Sequence, residues 1–146
     1  LFPLVFKWTG NKGWAASVFS MLMGVSMIAL YFFSIDETPV LFYTLAALAQ
    51  FFFSGFNTAI YAIIPDCVEY GEWRTGIRND GFQYSFISLA NKIGMALGTS
   101  LLALVMGWAG YEPNVEQTDT VKEVMHHAFS TVPGILGVIT AGIMLF

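Results

Sequence analysis

Residues 81–111 read GFQYSFISLANKIGMALGTSLLALVMGWAGY, with Lys92 as the single charged residue in the stretch. A helix needs about 20 mostly apolar residues to cross the ~30 Å hydrocarbon core of a bilayer. Strands of a membrane β-barrel would instead appear as segments of about ten residues with alternating polarity. Because this stretch is longer and almost continuously apolar, it predicts a transmembrane helix.

The same pattern recurs in three other parts of the chain. Residues 14–35 and 39–65 contain no charged residue, and residues 124–146 contain no Asp, Glu, Lys or Arg. The sequence therefore predicts an all-α, multi-span membrane protein, with residues 1–6 as the end of an earlier helix. The four predicted transmembrane helices cover residues 14–35, 39–64, 82–110 and 122–146.

The composition excludes several other classes of protein. Hydrophobic residues make up 56% of the chain and charged residues 11%, and the mean hydropathy is +0.66. A soluble domain has about 25% charged residues, and a disordered chain has low hydrophobicity. The net charge of −4 argues against nucleic-acid binding. The single cysteine, Cys67, excludes an internal disulfide framework, and no motif for a metal, a phosphate or nucleophilic catalysis is present.

The basic residues of the connections indicate the orientation in the membrane. The first connection, residues 7–13, and the third, residues 66–80, lie on the same side because consecutive helices alternate in direction. The second and fourth connections, residues 36–38 and 111–121, contain no Lys or Arg. Short loops rich in Lys and Arg face the cytoplasm, so loops 7–13 and 66–80 are predicted to be cytoplasmic in a cell membrane protein. The basic residues of these two loops are Lys7, Lys12, Arg74 and Arg78.

A polar stripe runs along the third predicted helix. Ser85, Ser88 and Thr99 lie within about 40° of Lys92 on a helix that turns 100° per residue. Lys92 is about ten residues into the helix, or ~15 Å at 1.5 Å per residue, which is near the middle of the membrane. A charge at that depth costs about 2.5–3.5 kcal/mol and usually faces a bundle interior, a cavity or an acidic partner. We predict that this stripe lines a polar pathway or the bundle interior; the alternative is a lysine that snorkels to the interface.

Two further patterns concern the helix faces. Ala90, Gly94 and Gly98 form a small-xxx-small series, which lets the backbones of two helices approach closely in lipid. A second polar stripe lies on the second predicted helix, at helical spacing. It either lines the same pathway or forms hydrogen bonds between helices. Its members are Tyr43, Gln50, Ser54, Asn57 and Tyr61.

The third connection contains the densest set of charges. Acidic side chains recur every three residues, and two arginines four residues apart follow them across Gly76. Such a set can form ion pairs that hold a cytoplasmic gate shut in one state and release it in another. The alternative is a solvated loop with weak surface pairs. The predicted gate residues are Asp66, Glu69, Glu72, Arg74 and Arg78.

Residues 65–79, PDCVEYGEWRTGIRN, resemble the signature of the glycoside-pentoside-hexuronide:cation symporters, which are the melibiose-permease relatives within the major facilitator superfamily. Residues 84–86, 91–94 and 107–117 are similar to the same family. The resemblance covers nearly the whole chain. It aligns the four predicted helices with the ninth to twelfth of the family, and residues 1–6 with the end of its eighth.

The resemblance implies a symporter that couples the uptake of a sugar or glycoside to Na⁺, H⁺ or Li⁺ by alternating access. It implies no cofactor, with the cation as a co-substrate, and it makes this chain part of a C-terminal six-helix half that requires an N-terminal half. Lys92 matches an intramembrane lysine near the coupling-ion region, and Asp66, Glu69, Glu72 and Arg78 match a loop associated with inward closure. Two alternatives remain open: a major-facilitator carrier of a lysolipid or other amphiphile, and a truncated membrane module without transport activity.

Overall fold

The computed structural model describes residues 10–33 and 38–145. These residues form helices and connections, and no strand occurs among them. Residues 1–9, 34–37 and 146 lie outside the described part, and with them the predicted end of an earlier helix, Lys7 and most of the second connection. The helices are α1 Lys12–Leu30, α2 Pro39–Thr75, α3 Asp80–Ala109, α4 Asp119–His126 and α5 Val132–Ile143, with a π-helical turn, His127–Thr131, between the last two.

Four of these segments are long and apolar enough to cross a membrane. They are α1, α2, α3 and the combined segment Asp119–Ile143, with lengths of 19, 37, 30 and 25 residues. Mean hydropathy over their most apolar windows runs from 1.3 to 1.7. The chain is therefore a multi-pass membrane protein with an all-helical fold, as the uncharged stretches predict.

Local signals determine where the helices begin and end. The side chain of Asn11 accepts hydrogen bonds from the backbone N–H groups of Gly13 and Trp14, at 3.0 and 3.2 Å, and so caps the start of α1. Gly110, with φ of 83°, ends α3, and the N–H of Tyr111 then bonds to the carbonyl of Met106 at 3.1 Å. A left-handed glycine of this kind is a common helix terminus.

Helix α2 differs most from its predicted range. It contains Pro65 and continues to Thr75, whereas the sequence pattern places its end at residue 64. Gly76, with φ of 72°, ends the helix. Glu69, Glu72 and Arg74 are the good helix formers among residues 66–75, and the helix continues through them beyond the apolar stretch. The first half of the predicted loop 66–80 is therefore helical.

The fourth span is interrupted where a single helix is predicted. The π-helical turn His127–Thr131 separates α4 from α5, and Pro133 follows directly in the first turn of α5. Proline has no N–H and its ring displaces the carbonyl four residues earlier, here that of Phe129. A wider π turn is a common way for a helix to accommodate such a defect.

The chain divides into two compact units. One comprises the residues up to Ile63 together with those from Phe129 onward, and the other comprises Ile64–Ala128. The chain passes from one unit to the other twice, after Ile63 and after Ala128. The helix is irregular near both points: Pro65 follows the first closely, and the second lies within the π-helical turn.

The first unit is held together by α1 packed against α5. Ser17 and Ser20 are buried and donate hydrogen bonds from their hydroxyls to the carbonyls of Ala141 and Gly137, at 2.7 and 2.8 Å. Gly24 has no room for a side chain, because a Cβ there would lie 2.8 Å from the carbonyl oxygen of Gly134. The two backbones therefore touch. A smaller apolar cluster joins α1 to the start of α2 and contains Met27, Leu30, Phe42, Leu45, Ala46 and Ala49.

The second unit contains α3, α4 and the charged end of α2. No residue of α3 is buried, although the helix is 30 residues long and largely apolar. The amide nitrogen of Gln83 donates to the carbonyl of Cys67 at 3.4 Å, which joins the start of α3 to the end of α2.

Candidate functional site

Lys92 lies on α3 beside a shallow depression of about 470 Å³. The depression is lined by Tyr84, Ser85, Ser88, Leu89 and Lys92. These positions recur at helical spacing, so the side chains of Ser85, Ser88 and Lys92 follow one face of α3, as predicted. Within the part of the chain that the structure describes, Lys92 forms no ion pair and no hydrogen bond. The depression therefore combines a positive charge with three hydroxyl groups, which can bind a carboxylate, a sulfonate or the hydroxyls of a sugar.

Thr99 belongs to the predicted stripe but not to this depression. Its hydroxyl donates to the carbonyl of Met95 at 2.9 Å, within its own helix. It lines a separate depression of about 430 Å³, which is mostly apolar. Lys92 and Thr99 are seven residues apart, which is about 10 Å along the helix at 1.5 Å per residue, so the two side chains line different depressions. The other lining residues are Leu102, Ala103, Met106, Gly107, Tyr111 and Met125.

The predicted stripe on the second helix lies on α2. The amide nitrogen of Asn57 donates to the carbonyl of Phe53 at 3.2 Å, again within the helix. Gln50 and Tyr61 are exposed. No hydrogen bond joins these three side chains to one another among the described residues, so a shared role in a pathway stays a prediction.

The third connection brings two of the predicted gate residues together with a residue that the sequence analysis missed. Arg78 donates from Nη1 to Glu72 Oε2 at 3.1 Å and from Nε to Asp80 Oδ2 at 3.0 Å. The hydrogen bond to Asp80, and then the charges of Asp80 and Glu72, raise the pKa of Arg78 above its ordinary value. We call Glu72, Arg78 and Asp80 the charged corner, because they join the end of α2 to the start of α3 around Gly76.

Asp80 could have been recognised from the sequence. It lies two residues after Arg78 at the end of the predicted loop 66–80, and an acidic side chain is favoured by the dipole at the start of a helix. In the structure Asp80 is the first residue of α3, two residues before the predicted start of that helix. The predicted gate did not include it.

The other predicted gate residues are not part of the corner. Glu69 and Arg74 are exposed on the last turns of α2, and neither forms an ion pair among the described residues. Asp66 is also exposed and follows Pro65 directly. Of the five predicted residues, the structure thus brings Glu72 and Arg78 together and leaves Glu69 and Arg74 apart from them.

The small-residue series has no partner in the described part of the chain. Ala90, Gly94 and Gly98 are exposed, and a Cβ added at Gly94 or Gly98 would meet nothing within 4 Å. Close packing by this series stays a prediction. Among the described residues, the backbones approach closely between α1 and α5, at Ser17, Ser20 and Gly24, which the sequence analysis did not single out.

No group of three or more His, Cys, Asp and Glu residues that could hold a metal ion occurs in residues 10–33 and 38–145. Cys67 is exposed. The candidate site therefore consists of the Lys92 depression and the charged corner, both in the second unit.

Comparison with known proteins identifies the family. Residues 1–146 match the family described as MFS/sugar transport protein. The chain is 33% identical over its whole length to an Escherichia coli (strain K12) protein provisionally named a sulfoquinovose importer, of which it covers 31%. It is 35% identical to a glucuronide carrier protein homolog of the same organism, over 77% of this chain and 24% of the relative. It is also 30% identical to the isoprimeverose transporter of Lactiplantibacillus pentosus, over 62% of this chain and 19% of the relative.

These relatives are named as importers, carriers or transporters and not as enzymes, and the chain spans less than a third of their length. No solved structure matches the chain. The family match over all residues confirms the resemblance carried by residues 65–79. The chain belongs to the MFS/sugar transport protein family.

Proposed function

We propose that this chain is the C-terminal part of a secondary transporter that moves a sugar or glycoside together with Na⁺, H⁺ or Li⁺ by alternating access. The observation that carries the proposal is the cluster of Lys92, Ser85 and Ser88 around one depression on a membrane-spanning helix. A charge at this depth is costly unless it serves a binding site or a charged partner. The N-terminal half of the transporter would supply the opposite wall of the pathway.

The Lys92 depression is suited to a ligand with oxygen atoms. The hydroxyls of Tyr84, Ser85 and Ser88 can each donate or accept a hydrogen bond, and the ammonium group of Lys92 offers three donors. Sugar hydroxyls need such mixed partners, because they also donate and accept. Alternation then requires that the same face of α3 be open to one side of the membrane at a time.

The substrate class that we favour contains an anionic group. Sulfoquinovose is a sulfonate and glucuronides are carboxylates, whereas isoprimeverose is neutral. An anionic substrate would offset the charge of Lys92, for which the described residues contain no acidic partner. We therefore rank sulfonated and carboxylated sugars above neutral ones.

The charged corner and the end of α2 would act on the cytoplasmic side of the cell membrane, as the positive-inside rule suggests for loops 7–13 and 66–80. Arg78 already has two carboxylate partners within the corner. The exposed Glu69 and Arg74 are therefore the better candidates for ion pairs with the other half in the inward-closed state. We propose that the corner is a fixed support and that the gate contacts are made by these two residues.

The test is sugar-driven cation flux with the full-length protein in proteoliposomes. The panel contains sulfoquinovose, a glucuronide, a galactoside and a xyloside, each with an imposed Na⁺ or H⁺ gradient and with protein-free liposomes as the control. Cation movement triggered by one sugar class would support symport and identify that class. Silence across the whole panel, with protein inserted and folded, would contradict the proposal.

A second candidate function is transport of a lysolipid or another amphiphile. The depression around Leu102 and Met106, about 430 Å³ and mostly apolar, is the observation that favours it. An acyl chain would occupy such a depression without needing polar partners. Transport of a lysolipid by the same liposomes, together with no response to sugars, would select this function.

A further inference from the structure

Helix α2 contains a proline where its hydrogen-bond ladder must be incomplete. Pro65 has no N–H, so it offers no donor to the carbonyl of Tyr61 four residues earlier, and its ring crowds that turn. The carbonyls of such a turn are commonly satisfied by side chains of neighbouring helices. The helix nevertheless continues to Thr75.

A side chain from a distant part of the sequence donates into this turn. The Nζ atom of Lys12 lies 3.1 Å from the carbonyl oxygen of Ala62, fifty residues away in the sequence. Lys12 is the first residue of α1 and is half-buried. Ala62 precedes Pro65 by three residues, so the lysine meets the backbone in the turn that the proline weakens.

We propose that Lys12 is a positioning residue for α2, in which its ammonium group reinforces the carbonyl of Ala62, whose own backbone hydrogen bond is weakened by the crowding of the Pro65 ring. The contact holds the turn before Pro65 in one conformation, and the helical extension that carries Glu69 and Arg74 follows that turn directly. Lys12 would then have two roles: it stabilises the backbone of α2, and it contributes to the orientation of the chain in the membrane. Only the transport arm of its test rests on the proposed function.

Charge is the reason why a lysine suits this position. An ammonium group forms a stronger hydrogen bond with a carbonyl than a neutral donor does, and it brings three donors on a flexible stem.

The test is a double-mutant cycle in the full-length protein in nanodiscs, read by amide hydrogen exchange of the peptide that covers residues 58–68. Lys12→Met should raise exchange in this peptide roughly tenfold to a hundredfold, as expected for losing one hydrogen bond from a charged donor. Lys12→Arg keeps a donor and should restore most of the protection. Lys122→Met, at an exposed lysine that lies 3.9 Å from Asp119, is the matched control and should leave the peptide unchanged.

The decisive arm removes the proline. Pro65→Ala removes the ring that crowds this turn and lets the helix pair the carbonyls of Tyr61 and Ala62 with its own N–H groups. Lys12→Met should then have little effect on exchange, whereas it should keep its full effect in a Pro133→Ala background. Pro65→Ser also removes the ring and serves as a second background. An equal effect of Lys12→Met with and without Pro65 would overturn the proposal and assign Lys12 to nearby charged side chains instead.

Sugar uptake gives a second readout, because a general loss of stability would slow uptake equally in the wild-type and Pro65→Ala backgrounds. If the proposed function holds, Lys12→Met should slow uptake by the wild-type background and leave the Pro65→Ala background unaffected. If the wild-type protein moves no sugar, the proposed function fails while the exchange result still decides the role of Lys12. Unchanged exchange in Lys12→Met, with uptake intact in the wild type, would overturn the role of Lys12 alone.

Discussion

Lys92 and Arg78 belong to the same unit, but their side chains have different partners. Arg78 donates to two carboxylates at 3.0 and 3.1 Å, so its charge is balanced within the corner. Lys92 lies on a membrane-spanning helix beside three hydroxyl-bearing residues, and the described residues provide no carboxylate for it. An arginine with such a pair of partners is structural. A lysine in the second setting is suited to bind what comes from outside the unit.

The role of Lys92 can be tested by removing its charge. Lys92→Gln should lower the uptake of an anionic sugar by tenfold or more, because losing a charged contact with the substrate within the membrane costs at least ~1.4 kcal/mol. Uptake of a neutral sugar should fall less if Lys92 contacts the anionic group of the substrate. Membrane expression and uptake are measured together, with Lys122→Gln as the control. Equal uptake by variant and wild type would exclude Lys92 from the pathway.

Arg78 and Arg74 should behave differently when neutralised. Arg78→Gln should raise hydrogen exchange around Gly76, because the corner loses both ion pairs, whereas Arg74→Gln should slow transport and leave exchange at the corner unchanged. The raised pKa of Arg78 means that its stabilisation is present below the ordinary arginine pKa and disappears only as the pH rises through the raised value. Titration of Arg78 itself therefore should not change exchange between about pH 6 and about pH 9. Loss of corner protection in Arg74→Gln would contradict this division of roles.

At the scale of elements, the length of the uncharged stretches predicted the four transmembrane segments. The helix caps and the interruptions at prolines became known only from the structure. Asn11, Gly76 and Gly110 end or begin helices through local hydrogen bonds and positive φ angles. Pro65 leaves α2 continuous, whereas Pro133 follows a π-helical turn. The pattern of apolar residues reflects the lipid surroundings and does not show how the backbone hydrogen bonds accommodate a proline. Sequence patterns therefore could not distinguish the two outcomes.

The contact between α1 and α5 gives a test of the element packing. Gly24→Ala should destabilise the protein by about 1–3 kcal/mol, the usual cost of overpacking, because the added Cβ would lie 2.8 Å from a backbone oxygen and 2.9 Å from a backbone nitrogen. The measurement is the thermal unfolding of the full-length protein in detergent. Gly142→Ala, where a Cβ meets nothing within 4 Å, is the control and should be neutral. Equal unfolding temperatures for the two variants would show that the backbones do not approach closely.

At the scale of the whole molecule, α3 is the element that is least explained by this chain alone. It is long and apolar, none of its residues is buried, and its small-residue series is open. An apolar helix face in a membrane protein contacts either lipid or other helices, and small residues favour helices. The family match, with relatives more than three times as long as the matched part, is consistent with a partner for α3 outside this sequence.

A substitution in the small-residue series Ala90, Gly94 and Gly98 can distinguish contact with another helix from contact with lipid. Gly98→Leu in the full-length protein should lower thermal stability if a helix packs against this face, because a large side chain would separate the two backbones. The same change should be neutral if the face contacts lipid, since nothing within 4 Å opposes it in this unit. Gly142→Leu provides the matched control on a face that is also open. A neutral Gly98→Leu would exclude the predicted packing role of Ala90, Gly94 and Gly98.

The sequence by itself determined the membrane class, the number of spans, the family and the polar stripe around Lys92. These properties depend on transfer of side chains into lipid and on helical periodicity, both of which are local. Only the tertiary structure decided that Ser17, Ser20 and Gly24 join α1 to α5 and that Lys12 reaches the turn before Pro65. Those contacts depend on which backbones lie side by side, and residues up to 124 positions apart carry no local signal of that proximity.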